Sequence, residues 1–515
     1  MTYSKAHVYL VGAGPGAADL ITVAGAEVLG RANVVVYDYL ANPKLLALCP
    51  SGTRFEYVGK TAGRHTLTQE QINALLVQLA QEYASVHGVI VRLKGGDPYV
   101  FGRGGEEGAC LFEHHIPFTT IPGLTAGIAG SAYAGIPVTH RDVTSTVTFI
   151  TGHEKAETAT DSGRVNYQAL AQLGGTLVFY MGVKSLPEIC QKLVAAGMDP
   201  TTPAATVQWA TMPKQRKVVS TLAQLPGAVH AAGVTAPAIT IVGHVVDMHH
   251  ALDCYARRPL QGQKILVTRS RQQASELSVL LEQQGAEVLE VPTIEIRPPL
   301  VWDEVDDALD QIKNYAWLLF TSANGVEACW QRLQQRGQDL RSLAGPKIGA
   351  VGPATAAALQ RYGIQPQIIP EKFQGEQLAA ALTELANING QAVLILRADI
   401  SRPILRDKLI AAGAQVTDVA IYLTARPEKL PDTVVQALTD NQIHWITFTS
   451  SSTAENLAAM LPGELQAKVG NIKRACLGPV TAQTLQRLGW PPTVTAVRPE
   501  IPLLVEAMCQ VGRKA

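Results

Sequence analysis

From Lys264 onward the chain copies itself, and this duplication constrains its fold more than any other feature. Arg269 and Arg397, Gly285 and Gly413, and Phe320-Thr321-Ser322 and Phe448-Thr449-Ser450 are each separated by 128 positions. Val351-Gly352-Pro353 and Leu477-Gly478-Pro479 follow at 126, and both continue through Thr-Ala into a Leu-Gln-Arg helix pattern that stops at a glycine. Such a repeat predicts two similar α/β lobes. Val419 to Thr424, VAIYLT, reads as an apolar strand carrying Tyr422.

Upstream, Cys254 to Gln263 (CYARRPLQGQ) has two arginines, a proline and a glycine but no periodicity, which predicts a linker. Before it, short Val/Ile-rich runs alternate with helical patterns: 7–11, 34–37, 89–93, 118–121, 147–150, 177–180, 204–209 and 238–242. Each run stops at Gly, Asp or Pro, so mainly parallel strands in α/β layers are expected, with ligand-facing loops at their carboxyl ends. A chain of 515 residues exceeds one core and implies three or four domain-sized units.

Composition narrows the functions. Lys plus Arg equals Asp plus Glu, 43 each, so no global field favours nucleic acid or an anionic membrane, and an anionic substrate needs a local cluster. Seven cysteines without a CxxC pair argue against a disulfide framework or a zinc or iron-sulfur site and for reduced thiols in the cytoplasm. His65, His114, His115 and His140 lack metal-ligand spacing, so no metal is expected. MTYSKAHVYLVG does not read as a signal peptide, and the most apolar window, Leu124 to Val138, falls short of the ~20 residues a membrane span needs.

Two glycine-rich strings carry the chemistry of the first half. Gly12, Gly14 and Ala17 satisfy G-x-G-x-x-A after a strand, and Asp38 ends the next strand, as in a dinucleotide site. The second string, VRLKGGDPYVFGRGGEE from Val91 to Glu107, ends a buried strand at Gly95-Gly96-Asp97. Its glycines let backbone approach a ligand closely, and Asp97 can accept ligand hydroxyls or amines. Taken with GPGAADLIT and VYDYL, this string resembles the signature of the tetrapyrrole methylase family and, within it, the S-adenosylmethionine-dependent uroporphyrinogen-III C-methyltransferases.

The resemblance implies a methyltransferase over 1–253, with lobes of about 1–142 and 143–253, the cofactor in the cleft between them, and a homodimer formed through this half. The implied cofactor contacts are Pro15, Gly95, Gly96, Asp97, Val100, Thr125, Ala126, Met181 and Ala210, the last where relatives often carry glycine. Asp38 and Lys60 match residues that related siroheme enzymes assign as proton acceptor and donor, Asp38 being a sensible base only if partly desolvated. Arg64, Arg103 and Arg141 are the candidates to bind the eight carboxylates of uroporphyrinogen. For each the plainer alternative is a capping, turn or surface residue.

The duplicated half resembles uroporphyrinogen-III synthase through the strand-end VTR, FTSANGV and FTSSSTAENL, VGPATA and LGPVTA, and VAIYLT. This implies a synthase over 264–515 after a linker at 254–263, with one lobe of 264–298 plus 426–515 and the other, 299–425, inserted into it. Tyr422 matches the family tyrosine proposed to help the hydroxyl of hydroxymethylbilane depart, before ring D inverts through a spiro intermediate. Thr321, Ser322, Asn324, Thr355, Thr449, Ser450, Ser451 and Thr481 are expected on cleft-facing loops, where GlyPro turns open helix N-termini to the substrate's carboxylates; plain N-capping is the alternative.

Together the resemblances imply closure of hydroxymethylbilane to uroporphyrinogen III, then methylation at C2 and C7 to precorrin-2, on the way to siroheme or cobalamin. The oxidase and iron-inserting module of trifunctional siroheme synthases is not expected. The competing reading is a dinucleotide-dependent oxidoreductase with a C-terminal ligand-sensing module.

Overall fold

A computed structural model of the chain describes residues 6–59, 67–152, 165–268, 271–371, 375–401 and 403–512, with backbone alone for 271–275. Two compact units result. One runs through Lys264 and takes in Leu280–Glu287 and the chain from Met508; the other comprises Ile265–Val279 and Val288–Ala507.

The first unit opens with strands β1 (His7–Gly12), β2 (Val34–Tyr37), β3 (Arg54–Tyr57), β4 (Val89–Lys94) and β5 (Phe118–Ile121). They form an all-parallel sheet in the order β3-β2-β4-β1-β5. In β2, Val34 and Val36 pack with Leu76, Leu79 and Leu111, while Val35 points to the opposite face with Leu29 and Leu45. Both faces are dry, so the strand reads as an unbroken Val run instead of alternating with polar residues.

The second sheet holds β6 (Val147–Thr151), β7 (Thr176–Tyr180), β8 (Pro203–Gln208), β9 (Arg216–Thr221) and β10 (Ala238–Val242), ordered β6-β7-β10-β8-β9. Here the expectation of mainly parallel strands fails. Only β6 and β7 run parallel; the pairings of β10 with β7 and β8, and of β8 with β9, are antiparallel. An apolar run shows that a strand is buried but carries no direction. β9 (RKVVST) and β3 (RFEY) have no continuous apolar run and do not stand out in the sequence.

The helix Ala126–Tyr133 (AGIAGSAY) joins the two sheets, and its small residues let it lie close to the second. A Cβ on Gly127 would come within 2.3 Å of Tyr180 Oη, and one on Gly130 within 2.7 Å of Ala210 Cβ. At 254–263 the chain forms no helix or strand, yet it is packed: Tyr255 stacks on Tyr133 at 3.8 Å and Leu260 is fully buried.

From Lys264 the chain forms β11 (Lys264–Thr268), β12 (Glu287–Glu290), β13 (Glu295–Arg297), β14 (Trp317–Phe320) and β15 (Lys347–Ala350). β16 (Ala392–Ala398), β17 (Gln415–Ala425), β18 (Trp445–Phe448), β19 (Lys473–Cys476) and β20 (Val494–Thr495) follow. Two sheets result, β12-β11-β18-β19-β20 and β13-β17-β16-β14-β15. The chain leaves the first before β13, completes the second, and returns at β18. The repeat is visible in three dimensions: β14 and β18 begin 128 residues apart at Trp317 and Trp445, both buried, and each pairs in parallel with the next strand of the chain, β15 or β19. Among the described residues no helix is long and apolar enough to cross a membrane.

Candidate active sites

In the first unit, loops at the strand ends of both sheets converge. Gly14 and Gly96 exchange backbone hydrogen bonds, the Gly96 N–H donating to Gly14 O at 2.7 Å and the Gly14 N–H to Gly96 O at 3.2 Å. Gly123 completes the junction, because a Cβ there would lie 2.3 Å from Gly96 O and 2.7 Å from Gly12 Cα. Gly96 itself has φ +73°, and a Cβ on it would meet only Thr125 Cα, at 4.0 Å. Bare backbone therefore faces open space beside Thr125, as close approach of a ligand requires.

Asp97 organises this loop. Its Oδ1 accepts from the amides of Tyr99 (2.8 Å) and Val100 (3.1 Å), and its Oδ2 accepts from the amide of Gly123 (3.0 Å). It ties the GGD loop to the loop after β5, which the expected role as ligand acceptor did not include. Thr125 is buried and bonds Tyr180 Oη at 2.7 Å; the Gly127 N–H donates to the same oxygen at 2.7 Å. Tyr180 thus pins the first sheet's helix to the end of β7, next to Met181, which is half-exposed at φ +56°. Ala126, Pro15 and Val100 are half-buried, Val100 against the second sheet's core. Ala210 is buried, and its neighbour Thr211 accepts the Ala17 amide on Oγ1 at 2.9 Å, closing the first loop on the second lobe. Phe101, Arg103, Met181, Trp209 and Thr211 all adopt left-handed backbone (φ +49° to +69°), a strain that collects where side chains must be aimed.

Asp38 leads to a network with no counterpart in the sequence reading. Its Oδ2 accepts from the Arg92 guanidinium at 3.0 Å and its Oδ1 from the Leu40 amide at 3.1 Å. Arg92 Nε donates to Glu107 Oε1 at 3.2 Å, and Lys94 Nζ to the same oxygen at 2.9 Å. Arg92, Lys94 and Glu107 are all buried, and Glu107 Oε2 has no partner. Burial, with repulsion from Arg92, lowers the Lys94 pKa against the pull of Glu107. The available signal was an arginine and a lysine two residues apart on a strand, hence on one face, followed by a helix rich in Glu. Arg103 pairs with Glu106 at 2.7 Å on an exposed helix start, and Arg141 is exposed; neither side chain hydrogen-bonds Asp38, Arg92, Lys94 or Glu107. Lys60 and Arg64 lie outside the described residues.

In the duplicated half, Ser322 and Ser450 are helix N-caps, accepting the amides of Gly325 (3.1 Å) and Thr453 (3.3 Å). Ser322 also bonds Tyr422 Oη at 3.0 Å, whereas Ser450 bonds Ser452 at 2.9 Å. The Tyr422 ring belongs to its lobe's core, and burial raises its pKa while hydrogen bonds from Ser322 and Asn324 lower it. Thr321 and Thr449 are half-buried at the ends of β14 and β18, Thr321 Oγ1 donating to Leu396 O at 3.4 Å. Thr355 and Thr481 depart from the expected loops. Pro353 and Pro479 start helices, so each threonine is the third helical residue and is buried, 3% and 5% exposed. Ser451 is likewise the first residue of its helix, accepting from Thr484 Oγ1 at 2.9 Å. Among the described residues no group of three or more His, Cys, Asp or Glu is arranged to hold a metal.

Comparison with known proteins decides the assignment. The profile of the Tetrapyrrole (Corrin/Porphyrin) Methylases matches residues 7–226, and that of Uroporphyrinogen-III synthase HemD matches residues 275–506. The chain belongs to both families. A Ruminiclostridium josui relative, "Porphyrin biosynthesis protein HemD", is 36% identical over 98% of each chain. A Bacillus subtilis "Uroporphyrinogen-III C-methyltransferase" is 39% identical over 69% of this chain and 71% of its own. The "S-adenosyl-L-methionine-dependent uroporphyrinogen III methyltransferase" of Methanosarcina barkeri is 47% identical over 49% of this chain and 96% of its own. The chain is thus an enzyme that joins a methylase half to a synthase half. The G-x-G-x-x-A string at Gly12 lies in a methylase loop, which overturns the dinucleotide alternative.

Proposed function

We propose that the synthase half, 264–515, closes hydroxymethylbilane to uroporphyrinogen III with inversion of ring D, and that the methylase half, 1–253, methylates the product at C2 and C7 to precorrin-2. The segment 254–263 joins the halves, and the enzyme acts in the cytoplasm as a homodimer through its methylase half. The observation that carries the methylase reading is the open space beside bare Gly96 backbone, bordered by Thr125, whose hydroxyl bonds Tyr180 of the second sheet. S-adenosylmethionine, when bound, supplies an electrophilic methyl group. The GGD loop with Pro15, Val100, Thr125, Ala126, Met181 and Ala210 would hold it. A porphyrinogen pyrrole carbon is nucleophilic already, so alignment does most of the catalytic work. Asp38, fixed by Arg92 and the Leu40 amide, accepts the proton the methylated ring must lose, and Lys60 returns one. Arg64, Arg103 and Arg141 would meet the substrate's carboxylates.

In the synthase half, Tyr422 gives its proton to the departing hydroxyl. The C–O bond breaks with its electron pair on oxygen, water leaves, and the pyrrole N–H, acidified in the azafulvenium cation, restores the phenol. The hydroxyls of Thr321, Ser322, Thr449 and Ser450 would line the site. The product would serve siroheme or cobalamin. Protection from heat by S-adenosylhomocysteine but not NAD or NADP, together with isomer III formed from hydroxymethylbilane without methyl donor, is the expected result. Protection by NAD alone, or isomer I alone, would refute it.

A further inference from the structure

We propose that Ser322 is a positioning residue that directs the Tyr422 proton outward, towards the substrate; this rests on the reading of Tyr422 as the proton donor. The Ser322 side chain comes from the N-cap of the helix Ala323–Gln335, a hundred residues before the tyrosine, and bonds its phenol oxygen. Ser322 Oγ uses a lone pair on the Gly325 amide at 3.1 Å, which leaves its own hydrogen free to be donated to Tyr422 Oη at 3.0 Å. A serine hydroxyl has one hydrogen and two acceptor sites, so both bonds can be made at once. With a hydrogen arriving from Ser322, the phenol oxygen acts as acceptor within the lobe. Its O–H is then free for the leaving hydroxyl, and the incoming donor stabilises the charge left on it.

The internal repeat supplies a control. Ser450, 128 positions on, caps its helix as Ser322 does, but position 294, the equivalent of Tyr422, is isoleucine, and Ser452 stands where Asn324 would be. Capping alone therefore does not call for the tyrosine contact. The first repeat has added it to a cap both lobes share.

The test is a double-mutant cycle on full-length enzyme, measuring kcat and KM for uroporphyrinogen III formation from hydroxymethylbilane. Ser322→Ala should lower kcat about tenfold with KM little changed, and by less than about twofold when Tyr422 is already Phe. Ser322→Asp separates this role from folding. Aspartate keeps the N-cap, so thermal stability should hold, but its carboxylate has no hydrogen to give and draws the phenol proton to itself, so kcat should fall at least as far as in Ser322→Ala. Equal losses for Ser322→Ala in both Tyr422 backgrounds, or undiminished kcat in Ser322→Asp, would overturn the proposal. A Tyr422→Phe enzyme of full activity would instead sink the underlying reading of the tyrosine.

Discussion

Removing one oxygen, in Tyr180→Phe, should loosen the methylase half and weaken its hold on S-adenosylhomocysteine. The ring would keep its contacts with Phe101 at 4.9 Å and Phe149 at 5.8 Å between centroids, so no large cavity forms. What is lost is the partner of two groups. Gly127 N–H is in the first turn of its helix, where no carbonyl four residues back can take it, and Thr125 is buried, 6% exposed. A buried donor left without a partner costs about 1–3 kcal/mol, and the threonine hydroxyl can rotate to recover part of its share, so about 2–4 kcal/mol is expected in all. For a unit of about 250 residues this lowers Tm by roughly 5–12 °C. Thr125 borders the open space at Gly96, so S-adenosylhomocysteine affinity should fall about tenfold, measured by titration calorimetry alongside scanning calorimetry. A Tm change within about 1 °C and unchanged affinity would refute the view that Tyr180 joins the two lobes at the cofactor site.

Glu107→Gln should destabilise the methylase half by about 3–5 kcal/mol in denaturant unfolding, since it leaves buried Arg92 and Lys94 without their shared counter-charge. Gly123→Ala should cost more than about 2 kcal/mol and abolish S-adenosylhomocysteine binding, because its Cβ would push apart the Gly12 and Gly96 loops. Thiol labelling of the native enzyme at pH 8 should modify exposed Cys254 quickly. It should spare Cys190 and Cys329, whose pKa values burial pushes up to about 11 and about 12, until the chain unfolds.

The sequence reveals strands well wherever both faces are buried, as in Val34–Tyr37 and Thr176–Tyr180. Its 128-residue repeat foretells two lobes. The direction of β10 is not legible, because a run of Ala, Ile, Thr and Val looks the same whichever way it pairs. The open backbone at Gly96 is legible because a glycine run ends a strand there, and the strand that carries Tyr422 is legible from its apolar run. Tyr180, Arg92, Lys94 and Glu107 escape because their partners are brought in by tertiary packing: Tyr180 meets Thr125 across 55 positions, and Arg92 meets Asp38 across 54. Thr355 and Thr481 mislead for a local reason. A proline after glycine starts the helix at once, and the threonine two residues later turns inward.

Mass analysis of the tetrapyrrole made by the full-length chain from hydroxymethylbilane and S-adenosylmethionine tests the account most directly. A macrocycle of the type III isomer bearing two added methyl groups is the expected product. An unmethylated macrocycle, or only the isomer I that forms spontaneously, would contradict it.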